Sequence, residues 1–295
     1  MATTRDIRRR IKSVKSTAQI TKAMQLVAAS KMKKAQDQAL SGRHYAELMN
    51  KVLVNLQEQA DDDSHALLEE RGEGKELVIL VSTDKGLCGG LNTNLLKAVF
   101  KEHPNASYVT VGSKGRQAVA RMKGDLLADF HVTDPVDFGQ VKTVSHFVRE
   151  KFLEGDFAKV TVAFTNFVNT LSQVPCVETL LPVSPVTLGK PKDYEGVGIE
   201  SEADAGDVPD TGYEFEPNAS AVLDSIVPQY VDYQIYQMVL ESRASEHSAR
   251  MVAMKSATDN AEQLIKDLSL EYNKLRQAAI TNELLEITTA SLALE

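Results

Sequence analysis

Glycines are the first residues in this chain whose types and spacing could do chemistry. Asp84-Lys-Gly-Leu-Cys-Gly-Gly90 follows an apolar run and precedes a helical pattern, the place where backbone N–H groups cradle phosphates in dinucleotide-binding folds. Gly86, Gly89 and Gly90 do not keep the G-x-G-x-x-G spacing, and the Lys-Ser/Thr pair of a P-loop is missing. Gly112-Ser-Lys-Gly115 fits neither pattern. Both stretches read as structural turns, with a nucleotide-binding α/β enzyme as the alternative. The histidines (His44, His65, His103, His131, His146, His247) are scattered, and neither Cys88 nor Cys176 has a CxxC neighbour, which argues against zinc. Ser82 and Asp84 sit beside the loop without a nucleophile elbow or a nearby histidine. Glu283 and Glu286 stand at helical spacing and read as contact or solvated residues, not as a general acid and base. No catalytic constellation, cofactor site or metal site is expected.

The elements that must hold these residues are plain in the hydrophobic pattern. From Gln229 to Glu295 there is no glycine and no proline, so an unbroken helix there would be about 100 Å long. Its apolar positions Met251, Met254, Ala257, Ala261, Leu264, Leu268, Tyr272, Leu275 and Ala279 step mostly by three and four, the seam of a coiled coil. Near the other end, Ile7, Ile11, Val14, Ala18, Thr21, Gln25, Ala28, Met32, Ala35, Ala39, Gly42, Ala46, Met49, Leu53 and Leu56 alternate four and three without a slip. The many alanines let two helix axes approach closely. Two such helices flanking everything else predict an antiparallel pair with an inserted domain.

Inside that frame, strands are expected at Glu76–Ser82, Ser107–Val111, Leu126–Val132, Lys159–Phe167 and Cys176–Pro182. Helices are expected over Leu91–Glu102, from the Gly112–Gly115 turn to Met122, and over Val141–Leu153. The alternation points to a small α/β layer with a mainly parallel sheet. Thr4 is the expected cap of the first helix, with Asn218 or Ser220 capping a short helix through Val227 and Pro228 opening the long one. Asp61–Gly74 reads as a polar linker and Lys190–Asp210 as an acidic mobile loop.

A net charge of −8 hides a strong polarity. Arg5, Arg8, Arg9, Arg10, Lys12, Lys15, Lys22, Lys31, Lys33 and Lys34 face only Asp6 before Asp37, while acids gather at Asp61-Asp62-Asp63 and Asp193–Glu216. A one-sign stripe favours an acidic partner over a merely solvated face. Aromatics are absent among the basic residues, which weighs against single-stranded nucleic acid. A nucleic-acid-binding coiled coil is the third reading. No run approaches a membrane span and the start has no secretory core, so a cytoplasmic chain with buried reduced thiols is expected.

Specific stretches carry a resemblance. Residues Ile7 to Met32 (IRRRIKSVKSTAQITKAMQLVAASKM) resemble the N-terminal helix of the gamma subunit of F-type ATP synthase. Ser82–Asn92 resembles its inserted-domain loop, and Ala249–Asn260 with Tyr272–Glu283 resembles its C-terminal helix. The match runs in order across essentially the whole chain. Ile280, Thr281, Glu283 and Glu286 fit the C-terminal signature, but Ala290 and Ser291 stand where the family has Gly-Ala. The paired-cysteine insertion of chloroplast members is missing, so the resemblance is to the bacterial type.

The resemblance implies an antiparallel coiled coil of long N- and C-terminal helices with an inserted Rossmann-like α/β domain. The divisions are 1–60 helix, 61–75 linker, 76–217 inserted domain and 218–295 helix. It implies a non-catalytic rotor shaft threading three alpha and three beta subunits, with epsilon beside the α/β domain and the c-ring below, on the cytoplasmic face of the bacterial inner membrane. Nucleic acid is not an implied partner, and membrane association comes only through the complex. Met24, Arg250, Arg276, Gln277, Thr281 and Glu283 match positions that contact beta subunits, and Lys22, Lys31 and Lys33 would face their acidic lever loops. Tyr213, Phe215 and Glu216 match the segment that meets the c-ring.

Overall fold

The computed structural model describes residues 3–59, 65–72, 74–183, 216 and 218–292. Its elements run α1 (Thr4–Gln59), β1 (Lys75–Val81), α2 (Leu91–Glu102), β2 (Ser107–Val111), α3 (Ser113–Met122), β3 (Asp125–Phe130), α4 (Phe138–Leu153), β4 (Phe157–Phe167), β5 (Gln173–Leu181) and α5 (Ala219–Leu292). Contacts divide the chain into two units, Met1–Ala28 with Arg250–Glu295, and Ala29–Ala249.

The first unit is a helix pair. Its N-terminus is capped one residue earlier than the expected Thr4. The Thr3 hydroxyl accepts from the Asp6 N–H at 3.3 Å, while Asp6 Oδ2 accepts from the Thr3 N–H at 3.3 Å, a reciprocal capping box. Asp6 also offsets, at the positive end of the helix dipole, the arginines that follow. The α1 seam is as its spacing requires: Ile7, Thr21 and Ala28 are buried, with Ile11, Val14, Ala18 and Gln25 half-buried. Facing residues on α5 are Met254, Thr258, Ala261 and Leu268, all buried. Leu264 and Ala279, expected in that seam, are exposed, and Thr258 and Ile265 take the inward positions. A straight helix drifts off a strict seven-residue repeat, which moves the inward stripe by one position along its length. From Arg276 to Ala290 every side chain is exposed.

The second unit is built on a five-stranded sheet in the order β3-β2-β1-β4-β5. All pairs are parallel except β4 with β5, which run antiparallel. Both faces are covered, so β1 is apolar at every position from Leu77 to Val81. Val78 and Leu80 pack with Leu95 and Val99 of α2 and Val119 of α3. Leu77, Ile79 and Val81 share a core with Val141, Val144 and Val148 of α4, Leu53 and Leu56 of α1, and Val231, Ile235 and Met238 of α5. Leu67, in the stretch read as a polar linker, belongs to this core at 1% exposure, and its carbonyl accepts from the Val183 N–H. Cys88 is buried, but Cys176 is only half-buried, because it lies on the edge strand β5.

Pro228 does not open a helix but lies inside α5. It forfeits one backbone bond, and the buried neighbours Val227, Tyr230 and Val231 hold the helix through it. The cap is Asn218, whose Oδ1 accepts from the Ala221 N–H at 2.8 Å. Where α1 crosses α5 within this unit, Gly42 is required: a Cβ would run into the Tyr233 hydroxyl, which donates to the Gly42 carbonyl. The acidic loop 190–210 lies outside the described residues.

Candidate functional site

Open α/β sheets bind ligands beyond the carboxyl ends of their strands, where the strand order reverses. Here the reversal lies between β1 and β4, and α5 packs across those strand ends. Arg243, 6% exposed, reaches three elements. Its Nη2 donates to Asp84 Oδ2 at 3.2 Å and to the Val132 carbonyl at 2.8 Å, and its Nη1 to Glu246 Oε2 at 2.8 Å. Asp84 Oδ1 accepts from the Ser113 N–H at 3.1 Å, drawing in the first turn of α3. Cys88 and Leu91 pack on Ala249. The glycine-rich loop is therefore a docking turn on α5. Gly112, at φ 104 and against the Ser82 backbone, lets α3 start directly beside the end of β1.

A second group sits one turn along. His247 Nε2 lies 3.2 Å from Asp134 Oδ2, and that oxygen accepts a hydrogen bond from Lys31 Nζ at 2.6 Å. On another face of α5, Ser245 Oγ donates to the Thr165 carbonyl at 3.0 Å and Ser248 Oγ to that of Thr170 at 2.9 Å. Burial pushes the Asp84 carboxyl up, but the Ser113 N–H and Arg243 outweigh it and hold the group below the usual range. For Asp134, burial is likewise outweighed by the Lys31 bond and by His247. Burial works against the Arg243 charge, and Glu246 and Asp84 more than restore it. All of these charges are spent on the protein itself. Among the described residues no cluster of His, Cys, Asp and Glu is placed to hold a metal.

The residues expected to meet partners are not gathered into one site. Lys22 and Lys33 are exposed on α1 and Met24 is half-buried there. Lys31 is committed to Asp134 while staying 46% exposed. Arg250 is half-buried, whereas Arg276, Gln277, Thr281 and Glu283 are exposed on the unpaired part of α5. They share roughly half the helix circumference, at 100° per residue, with Ile280, Leu284 and Ile287, which are 49%, 59% and 66% exposed. Glu216 is exposed, and Tyr213 and Phe215 lie outside the described residues.

Two features escaped the reading of the sequence. Ile20, Leu26 and Val27 of α1 are 61%, 64% and 56% exposed. Ile20 and Val27 are seven apart on the face opposite the seam, a spacing visible in the sequence but masked by the surrounding lysines. Arg243 and His247 carried no local signal, because their partners Asp84 and Asp134 are more than a hundred residues away.

A doubly wound sheet whose ligand crevice is plugged by its own helix α5 has no open ligand site at its strand ends among the described residues, which fits a structural rather than a catalytic component. Comparison with known proteins agrees. A family model described as "ATP synthase" matches residues 3–294. The "ATP synthase gamma chain" of Methylacidiphilum infernorum (isolate V4) is 49% identical over 300 residues, covering 100% of both chains. A chain of the Tetrahymena thermophila mitochondrial ATP synthase central stalk and c-ring structure has a TM-score of 0.59 at 26% identity, covering 81% of this chain and 99% of that one. A chain of the Euglena gracilis mitochondrial ATP synthase rotor has a TM-score of 0.63 at 19% identity over 94% and 98%, and shows the shared fold. The chain belongs to the ATP synthase gamma chain family. Members are non-catalytic subunits of the F-type ATP synthase stalk, whose catalytic sites lie on the beta subunits. Association with the membrane is through the complex, and no described helix is long and apolar enough to cross one.

Proposed function

We propose that this chain is the rotor shaft that couples proton-driven turning of a c-ring to the conformational cycle of three catalytic beta subunits, alternating with three alpha subunits. The observation that carries this reading is the run of α5 from Arg276 to Ala290, a continuous helix whose polar and apolar side chains are all exposed. A helix of this kind is stable only inside a partner that covers its leucines. Arg276, Gln277, Thr281 and Glu283 sit among those leucines and contact the beta subunits from there. Met24, Lys22, Lys33 and Arg250 contact beta subunits further along, with Lys31 serving both Asp134 and an acidic lever loop. Tyr213, Phe215 and Glu216 meet the c-ring, and epsilon docks beside the sheet. The operating place is the cytoplasmic face of the bacterial inner membrane. A tagged chain pulled from detergent-solubilised membranes brings down alpha, beta and epsilon subunits with ATPase activity. A lone chain, under conditions where a control complex survives, overturns the reading.

A further inference from the structure

The buried charges at the strand ends have no catalytic use, and apolar residues would fill the same space at least as stably. What a hydrogen-bonded ion network adds to packing is direction: apolar surfaces slide with little penalty, whereas a guanidinium shared among three acceptors tolerates few arrangements of its partners. The geometry points to Arg243 as a positioning residue that locks the α/β sheet against rotation about α5. Its three acceptors come from the loop after β1, the segment after β3, and α5 itself. Two of them, Asp84 and Val132, lie outside the helix on separate segments of the sheet layer, so turning the sheet about α5 stretches these bonds. Asp134 extends the lock to α1 by taking Lys31 and His247 together. Ser245 and Ser248 hold the end of β4 and the turn after it on another side of the same two turns. The ends of β1, β3 and β4 and the turn after β4 are thus tied to α5 between Arg243 and Ser248 by directional bonds.

This inference rests on the rotor reading, because a lock against twist matters only in a chain that carries torque. The test uses the assembled complex in liposomes, comparing wild type with the single variant Arg243→Met and the charge-free triple variant Asp84→Asn, Arg243→Met, Glu246→Gln. The triple variant keeps the Asp84 acceptor for the Ser113 N–H and leaves no unpaired charge, so it folds even where the single one does not. Torsional stiffness of the shaft is read from the angular fluctuations of a bead fixed to the α/β domain, beside ATPase rate and thermal midpoint. The expected result for the triple variant is an ATPase rate and midpoint close to wild type, with about a twofold or greater fall in stiffness and less proton pumping per ATP hydrolysed. Arg243→Lys, which keeps one charged bond, recovers part of the stiffness. Wild-type stiffness and pumping in the triple variant overturn the lock. Absence of ATPase partners around the wild-type chain instead overturns the rotor reading, and the two failures are distinct.

Discussion

Asp84 and Asp134 hold their protons less tightly in the folded chain than free carboxyls do, and that difference sets the acid limb of stability. Their folded values lie below the ordinary aspartate value. The stabilisation is therefore complete above the unfolded value and is lost as pH falls through the folded one. Urea midpoints should be flat down to about pH 5 and drop below about pH 4, with a shallower drop for Asp84→Asn. An equally steep acid limb in that variant contradicts the assignment. The alkaline limb has the opposite sign. Burial pushes Tyr230 and Tyr233 up to about 12, so the stability they contribute is intact below about pH 10 and fades between 10 and 12. Tyrosinate absorbance should show these two rings ionising last, together with loss of helical signal. Ionisation of all tyrosines near pH 10 with the fold intact contradicts it. None of these environments was legible at the residue scale, because a carboxylate 159 positions from its guanidinium leaves no mark in the sequence.

Helices and strands were far more legible, and for a physical reason. The four-three stepping of α1 is a local consequence of its buried face, and it marked Ile7, Ala28, Ala35, Ala39, Leu53 and Leu56 correctly. The errors fell where tertiary packing overrides local preference, as at Pro228 inside α5 and at Leu264 turned outward. The helix pair carries one polar contact deep in its seam. Thr21 and Thr258 are 2.7 Å apart through their hydroxyls, and each also has a backbone acceptor, Ala18 O or Met254 O. Each hydroxyl has one proton, so one donates to its own backbone and accepts from the other. Thr21→Val should cost about 1 kcal/mol, while the Thr21→Val, Thr258→Val pair should cost little more than either single change. Additive losses in a double-mutant cycle contradict that coupling. Gly42→Ala gains about 1 kcal/mol of helix propensity. It loses more, because the Tyr233 ring is packed at 5.0 Å from Tyr45 and 6.1 Å from Tyr236 and cannot step aside. A net loss of about 1–2 kcal/mol in chemical denaturation is expected, and a rise in stability contradicts the crossing.

At the scale of the molecule, the chain presents two kinds of surface: basic side chains along α1, and apolar ones both opposite its seam and beyond Leu275 on α5. Charge reversal at Lys22 and Lys33 should leave the thermal midpoint unchanged, since both are exposed, and lower proton pumping per ATP. Reversal at Lys31 lowers the midpoint as well, because it sets a second acid against Asp134. Equal midpoints for all three single variants contradict that division. The family was readable from the sequence because its motifs lie on the continuous helices and the docking loop. The partner surfaces are expectations that the fold of one chain does not test, since an exposed leucine on a helix acquires its meaning from a chain that is not its own.

The central claim is that this chain turns. A bead fixed to it in the immobilised, purified complex, watched under ATP, should rotate in one direction and pause three times per turn, once for each beta subunit. A bead that only fluctuates about a fixed angle, while the same complexes hydrolyse ATP at full rate, contradicts the account.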